Sequence, residues 1–404
     1  MRHLLEHAAI PPFARDISDM KKLCFVAASP MTLRFFMRNH LLRLSEQYSV
    51  TAIADFSPED LDGQWLPGVR LVRIPIAREI DPLSDIRSLA ALVHHFWCER
   101  YDSVHSVTPK AGLLSMLASK ISGVPIRIHC FTGQVWATRS GMGRLLLKNA
   151  DRLIAFCATH VLADSLSQRS FLETEGVLGH GKGEVLGRGS IAGVDLQRFR
   201  PDQSARERIR AELGVPLQAF LFLYVGRLNH DKGVLDLARA YARLAREKEN
   251  VWLAIVGPDE ANIGAEMSRH CAEAAARVVR VGYTAHPEGF MAAADAFVLP
   301  SYREGFGSVV IEAAACGVPA VASRIYGLTD AIVDGETGLL HPAGDVPALF
   351  AQLKRMHDDA AMRAEMGRKA RARAHAEFSM DYVTSEMVAF YRTVLRSEGS
   401  MTEK

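Results

Sequence analysis

The sequence predicts an α/β protein of two domains, each built on a parallel sheet. Three observations carry that expectation. The chain is 404 residues long, well beyond a single domain of ~150 residues. Short apolar runs alternate with amphipathic helical stretches in two separate series. Hydrophobic residues make up 49% and charged residues 23%, the balance of a globular chain rather than a disordered or fibrous one.

The first series opens with KKLCFVAAS from residue 21, passes through a helical stretch from Leu33 to Leu44, and returns to strand character in YSVTAIADF. LVRIPI, YDSVHSV and PIRIHCF continue it. The polar helical segment SARERIRAELGVPLQ then separates it from a second series, AFLFLYVGRL, VWLAIVG, VVRVGYT, DAFVLPS and PAVAS. This division predicts an extension over 1–20, an N-terminal domain over 21–197 and a C-terminal domain over 198–375. Residues 351–375 read as helix, and 376–404 as a further amphipathic helix able to pack back on the N-terminal domain. Its apolar face carries Tyr382, Met387, Phe390, Tyr391 and Leu395.

The charge balance excludes some functions. With 48 Lys and Arg against 46 Asp and Glu, the net charge of +2 is too small for a protein whose main partner is nucleic acid. No apolar run is long enough to span a bilayer, and the first 20 residues lack the apolar core of a secretory signal. The six cysteines (Cys24, Cys98, Cys130, Cys157, Cys271 and Cys316) show no metal-binding spacing. His94 and His95 are adjacent and point about 100° apart on a helix, so no metal is expected. A reduced, cytoplasmic protein is the expectation.

Two segments carry chemistry. In FVLPSYREGFGSVVIEAAACGVPAVAS, residues 297–323, a strand ends at Pro300 and a helix begins near Ser308. The backbone N–H groups of Gly307, Ser308 and Val309 then form an anion-binding helix start, approachable because Gly305 and Gly307 lack Cβ. Phe306 lies between those glycines. Glu304 falls in the loop and Glu312 in the second turn, where a carboxylate can meet sugar or ribose hydroxyls; a solvent-facing loop acid and a dipole-favoured helix acid are the alternative reading. In LYVGRLNHDKGVLDLARA, residues 223–240, Gly226, Arg227 and Lys232 frame a strand-to-helix turn whose two cations suit a diphosphate; two solvated basic residues in a turn are the alternative reading.

Together these segments resemble the donor half of the retaining glycosyltransferases of family 4, which have the GT-B fold of two Rossmann-like domains facing a cleft. GRLNHDKG matches the family's G-R-x-x-x-x-K-G turn and EGFGSVVIE its E-x7-E motif. GVPAVAS, IVDGETGLL and the interdomain GSIAGVDLQRFRP fit as well, the last through Gly193, Val194, Asp195 and Phe199 and diverging at Gly189 and Ser190.

The resemblance implies a nucleotide-sugar donor, a UDP-sugar by frequency within the group, held mainly by the C-terminal domain. Arg227 and Lys232 would take the diphosphate, Glu304 the donor sugar and Glu312 the ribose, with Gly226, Phe306, Gly307, Ser308 and Val309 around them. It also implies a front-face reaction that retains anomeric configuration, without metal or other cofactor. In the N-terminal domain, RIHCFTGQVWAT puts Thr132 where many members carry a sugar-contacting His. His129, three residues earlier, either substitutes as a substrate contact or is a structural strand residue. Trp136, Arg139, Arg144 and Lys148 form a basic, aromatic segment suited to an anionic membrane surface or a polyprenyl diphosphate, or to an ordinary exposed helix.

The expected activity is that of a hexosyltransferase moving a hexose or N-acetylhexosamine from a UDP-sugar to a polyprenyl-diphosphate-linked glycan, in surface polysaccharide assembly at the inner membrane face. A GT-B UDP-sugar epimerase and a noncatalytic nucleotide-sugar-binding subunit are the rival expectations.

Overall fold

The computed structural model describes residues 20–77 and 81–399. The expected N-terminal extension lies outside them except for Met20. The N-terminal sheet holds β1 (Lys22–Val26), β2 (Ser49–Ala54), β3 (Val69–Arg73), β4 (Ser103–Val107), β5 (Ile126–Phe131) and β6 (His160–Ala163). The C-terminal sheet holds β7 (Phe220–Val225), β8 (Val251–Val256), β9 (Val278–Val281), β10 (Ala296–Leu299), β11 (Ala320–Ser323) and β12 (Gly338–His341). Strand order is β3-β2-β1-β4-β5-β6 in one and β12-β11-β10-β7-β8-β9 in the other, and all pairings are parallel.

Both orders are the doubly wound arrangement in which the chain runs outward in opposite directions from a central strand pair. Cys24 of β1 faces Val104 of β4, and Leu223 of β7 faces Phe297 of β10. Between each of these pairs the loops leaving the carboxyl ends diverge, and the crevice they leave is where this topology binds ligands. The strands are near-continuous apolar runs because helices cover both faces; in FLFLYV of β7 every residue but Val225 is buried.

Two segments cross between the domains side by side. Val194 N–H donates to Phe378 O at 2.8 Å and Met380 N–H to Val194 O at 2.9 Å. Gly193, at φ +67°, leaves room for this pairing, since a Cβ there would stand 2.9 Å from Phe378 O. The helix Met380–Gly399 then packs on the N-terminal domain, burying Met387, Tyr391 and Leu395 in one cluster with Leu41 and Leu44. Tyr391 Oη lies 2.9 Å from His105 Nδ1.

Some elements differ from expectation. The helical stretch read as 351–375 is two helices, Val346–Asp358 and Ala360–Glu377, because Asp359 leaves helical geometry and accepts the N–H of Met362 as a cap. The segment after β1 begins as helix at Pro30, widens to a π-turn over Leu33–Met37 and resumes as helix Arg38–Ser45. This turn keeps Leu33 and Met37 buried and leaves Phe35 and Phe36 exposed.

Candidate active site

The two central strands of the C-terminal sheet deliver the expected residues to one place. After β7, Gly226 and Arg227 lead into a short 3₁₀ turn, His230–Lys232, closed by Gly233 at φ +65°. A Cβ on Gly233 would stand 2.0 Å from Pro300 O, so this turn is pressed onto the end of β10. The result is that Lys232 Nζ sits 2.6 Å from Glu304 Oε1, with both side chains largely buried. Ser301 Oγ donates to the same carboxylate oxygen at 2.8 Å. The two residues expected to hold diphosphate and sugar separately are thus one coupled unit. Arg227 is more open, 51% exposed and 3.0 Å from Glu260.

After β10, Gly307 adopts φ +82° and starts the helix Ser308–Ala315, which has no side-chain cap and no acidic residue in its first turn. Its free N–H groups carry the positive end of the helix dipole into a cavity of about 380 Å³ lined by Gly226, Arg227, Lys232, Glu304 and the Gly305–Val309 loop. Phe306 also borders this space, while its ring packs on Phe378, centroid to centroid 5.2 Å. Glu312 stands outside the lining, one turn further along the helix; burial pushes its carboxyl up to about 7, against the opposing pull of Arg198.

The N-terminal domain supplies the opposite wall through Thr32, Phe36, Thr108, Thr132 and Asp164. The domains touch at this wall. A Cβ on Gly305 would stand 2.1 Å from Thr132 O, and one on Gly133 3.2 Å from Gly305 N. Thr138 Oγ1 donates to Asp231 Oδ1 at 3.2 Å, and Asp231 is also paired with Arg303 at 2.9 Å. Although burial alone would raise the Asp231 carboxyl, Arg303, Thr138 and Lys232 hold it below the usual range. An aromatic stack of Trp136, Phe171 and Tyr326 spans the junction, with centroids 5.3 and 4.5 Å apart.

The expectation that His129 touches substrate is corrected. Its ring is 1% exposed, packs over Gly112 and lies 2.8 Å from Ser106 Oγ. Burial drives its pKa down to about 3, leaving a neutral interior histidine. The Trp136–Lys148 segment is corrected in part. Trp136 is buried with its indole N–H on Asp151 at 2.7 Å, and Arg144 and Lys148 both clasp Glu175, at 2.8 and 2.7 Å. Arg139 alone of the four is exposed.

Sequence reasoning missed Phe36, Thr108 and Asp164. Asp164 follows β6, a four-residue strand with too short an apolar run to stand out. Its carboxyl is buried beside Gly305, with Cys130 Sγ 3.8 Å away, and burial pushes it up to about 7. Thr108 had a legible signal, the Thr-Pro pair ending β4. Among the described residues no group of His, Cys, Asp or Glu is placed to hold a metal, and no helix is long and apolar enough to cross a membrane.

The family model described as "Glycosyl transferases group 1" matches residues 205–373, and "Glycosyl transferase 4-like domain" matches residues 40–189. The capsular polysaccharide biosynthesis glycosyltransferase CapM of Staphylococcus aureus is 32% identical over 81% of this chain and 86% of its own. The UDP-Gal:alpha-D-GlcNAc-diphosphoundecaprenol alpha-1,3-galactosyltransferase of Escherichia coli is 27% identical over 72% of this chain and 76% of its own. Among solved structures, sucrose-phosphate synthase of Thermosynechococcus elongatus superposes with a TM-score of 0.77 at 23% identity, covering 93% of this chain and all of the other. Anabaena HepE in complex with UDP superposes at 0.76 and 20% identity, covering 92% and 100%. These two likenesses show the shared GT-B fold.

Proposed function

The chain belongs to the group 1 glycosyltransferases, with a glycosyltransferase 4-like N-terminal domain and the GT-B fold, and from that premise we propose that it is a retaining hexosyltransferase using a UDP-sugar. Its acceptor is a polyprenyl-diphosphate-linked glycan, and its setting is surface polysaccharide assembly. The observation that carries the reading is the Lys232–Glu304 pair lying beside the uncapped start of helix Ser308–Ala315 at the β7–β10 switch point.

The chemistry follows from where charge develops. The bond between the sugar's anomeric carbon and the diphosphate breaks with its electron pair passing to the diphosphate. The acceptor oxygen bonds the same carbon on the same face, and its proton passes to a diphosphate oxygen. Lys232, Arg227 and the N–H groups of Ser308 and Val309 stabilise the growing negative charge, and because they are held in place beforehand they lose little on reorganising. Two cations and two N–H dipoles at one diphosphate supply the positive field that a metal would otherwise bring. Glu304 orients Lys232 and offers its second oxygen to a donor sugar hydroxyl, while Glu312, half-buried one turn beyond the cavity lining, takes a ribose hydroxyl that reaches past that lining.

The acceptor and donor assignments draw on the Staphylococcus and Escherichia relatives, whose names carry capsule synthesis and a diphosphoundecaprenol acceptor. Peripheral contact with a membrane is supported by apolar side chains left on the N-terminal surface: Leu83 and Ile86 of one helix, and Met142, Leu145, Leu146 and Phe156 of another, all at least half exposed.

Acceptor-dependent UDP release from purified protein tests the proposal. A transferase releases UDP when a lipid-diphosphate glycan is added. Interconversion of the sugar nucleotide without acceptor means an epimerase, and no turnover with any UDP-sugar and lipid extract means a binding subunit.

A further inference from the structure

The loop 304–307 carries Glu304 and ends at the free start of helix Ser308–Ala315, and its shape is set by what lies behind it. The segment that follows β11 packs directly on it. A Cβ on Gly327 would stand 2.4 Å from Gly305 O and 3.2 Å from Phe306 Cα, and one on Gly307 2.5 Å from Leu328 Cδ2. Gly327 has φ +82°, a backbone open to glycine, and Leu328 is fully buried. Gly327 and Leu328 therefore back the loop, while residues 326–330 stand behind the cavity lining and not in it.

That backing segment is tied to the other domain. Helix Leu166–Thr174 presents Ser167 in its first turn, and Asp330 Oδ2 accepts both the Ser167 hydroxyl and the Ser167 N–H, the latter at 3.3 Å. A carboxylate of the C-terminal domain thus helps to cap a helix of the N-terminal domain. Ser167 Oγ in turn accepts the N–H of Gly327 at 2.8 Å. One residue earlier, Tyr326 stacks on Phe171 with centroids 4.5 Å apart and rings 20° from parallel, and its Oη accepts the N–H of Gln134 at 3.4 Å.

The far end of the segment is held within its own domain. Arg373, on helix Ala360–Glu377, donates to the carbonyl oxygens of Asp330 and Ala331 at 2.7 and 2.9 Å. Separating the domains would take Ser167 from the Gly327 N–H and from the Asp330 carboxylate, and Phe171 from the Tyr326 ring. The end released is the one that backs Gly305.

We infer that Tyr326 and Asp330 are positioning residues for the transfer reaction. Through Gly327 and Leu328 they keep loop 304–307 in shape only while Ser167, Gln134 and Phe171 are in place. Glu304 and the N–H groups of Ser308 and Val309 then take up their working geometry only with the two domains docked, whereas UDP binding needs the C-terminal domain alone. The inference rests on the proposed donor site and adds what sets its geometry.

The experiment uses the full-length protein and its Ser167→Ala, Asp330→Ala, doubly substituted and Ser167→Thr variants. UDP binding is measured by calorimetry, and amide exchange of residues 304–310 by mass spectrometry in saturating UDP. Exchange in that loop should rise at least about tenfold in each alanine variant, the effect of losing one hydrogen bond to a charged group. UDP affinity should change less than about twofold, and exchange in β8 should stay as in the wild type. The double variant should fall short of the sum of the two effects, because Ser167 Oγ serves both contacts, and Ser167→Thr, which keeps the hydroxyl, should behave as the wild type. UDP release is followed with UDP-galactose and diphosphoundecaprenol-linked N-acetylglucosamine, the pair in the Escherichia relative's name; kcat should fall at least about tenfold in both alanine variants with the donor KM moved less than about threefold. Loop exchange unchanged in Ser167→Ala, exchange that rises equally in β8, additive effects in the double variant, or kcat unchanged beside a loosened loop overturns the inference, while UDP binding leaves the donor reading standing. Failure of the wild-type protein to bind UDP overturns both.

Discussion

Replacing Lys232 with Ala should separate the energetics of the fold from those of the reaction. Lys232 Nζ lies 2.6 Å from Glu304 Oε1, and the side chains are 19% and 12% exposed. Removing the lysine leaves a mostly buried carboxylate whose remaining side-chain partner among the described residues is the Ser301 hydroxyl. Breaking a fully buried pair from one side costs about 3–5 kcal/mol; residual solvent access at both groups scales this to about 1–3 kcal/mol. For a C-terminal domain of this size that is a fall in melting temperature of about 2–10 °C, readable by calorimetry. Turnover should fall further, by about 10²–10³, because the ammonium is aimed at charge that develops only as the diphosphate leaves. The double variant Lys232→Ala/Glu304→Gln removes both charges and should regain most of the lost stability without regaining turnover. A folded Lys232→Ala protein within about threefold of wild-type turnover would refute the argument, as would a double variant in which activity returns along with stability.

Three further outcomes are expected. Gly305→Ala sets a Cβ 2.1 Å from Thr132 O across the cleft, so it should hold the domains apart and reduce turnover at least about tenfold while UDP still binds the C-terminal domain; small-angle scattering showing an unchanged closed shape would contradict it. His129→Asn removes an interior ring bonded to Ser106 and should lower stability by about 1–3 kcal/mol with UDP affinity changed less than about twofold; a selective loss of affinity in a stable variant would return His129 to the site. Asp164 has its carboxyl pushed up to about 7 by burial, so between the unfolded value of ~3.9 and 7 the folded chain holds a proton that the unfolded chain has lost, and stability falls as pH rises through that window. Asp164→Asn should flatten that fall in denaturant melts from pH 4 to 8, and an unchanged slope would place the carboxyl in contact with water.

The cleft wall of the C-terminal domain was legible in the sequence because its parts are local. A strand, a glycine and a helix start within a dozen residues define an anion site whatever surrounds them, and two such units, at 223–240 and 297–323, carry Arg227, Lys232 and Glu304. The wall supplied by the N-terminal domain was not legible for the opposite reason. Phe36, Thr108 and Asp164 come from the ends of three different strands or the helix after one; nothing near Phe36 or Asp164 in the chain marks it out, and the Thr-Pro pair at Thr108 marks a strand end without assigning it to the cleft. Trp136, Arg144 and Lys148 show the same limit: a basic aromatic stretch looks exposed until Glu175 and Asp151, distant in sequence or on another turn, fold against it.

What the sequence determined by itself was the class of fold, the division into two sheets and the two strand–glycine–helix turns of the second. These depend on periodicity and on short-range geometry, which a few neighbouring residues impose. Only the tertiary structure decided that Lys232 and Glu304 form one unit, that His129 is interior and neutral, and that Thr32, Thr108 and Asp164 wall the cleft from the other domain. Those facts depend on which strand ends the two switch points bring together, and on how far burial drives a titratable group from its value in water; both are set by contacts between residues far apart in the chain.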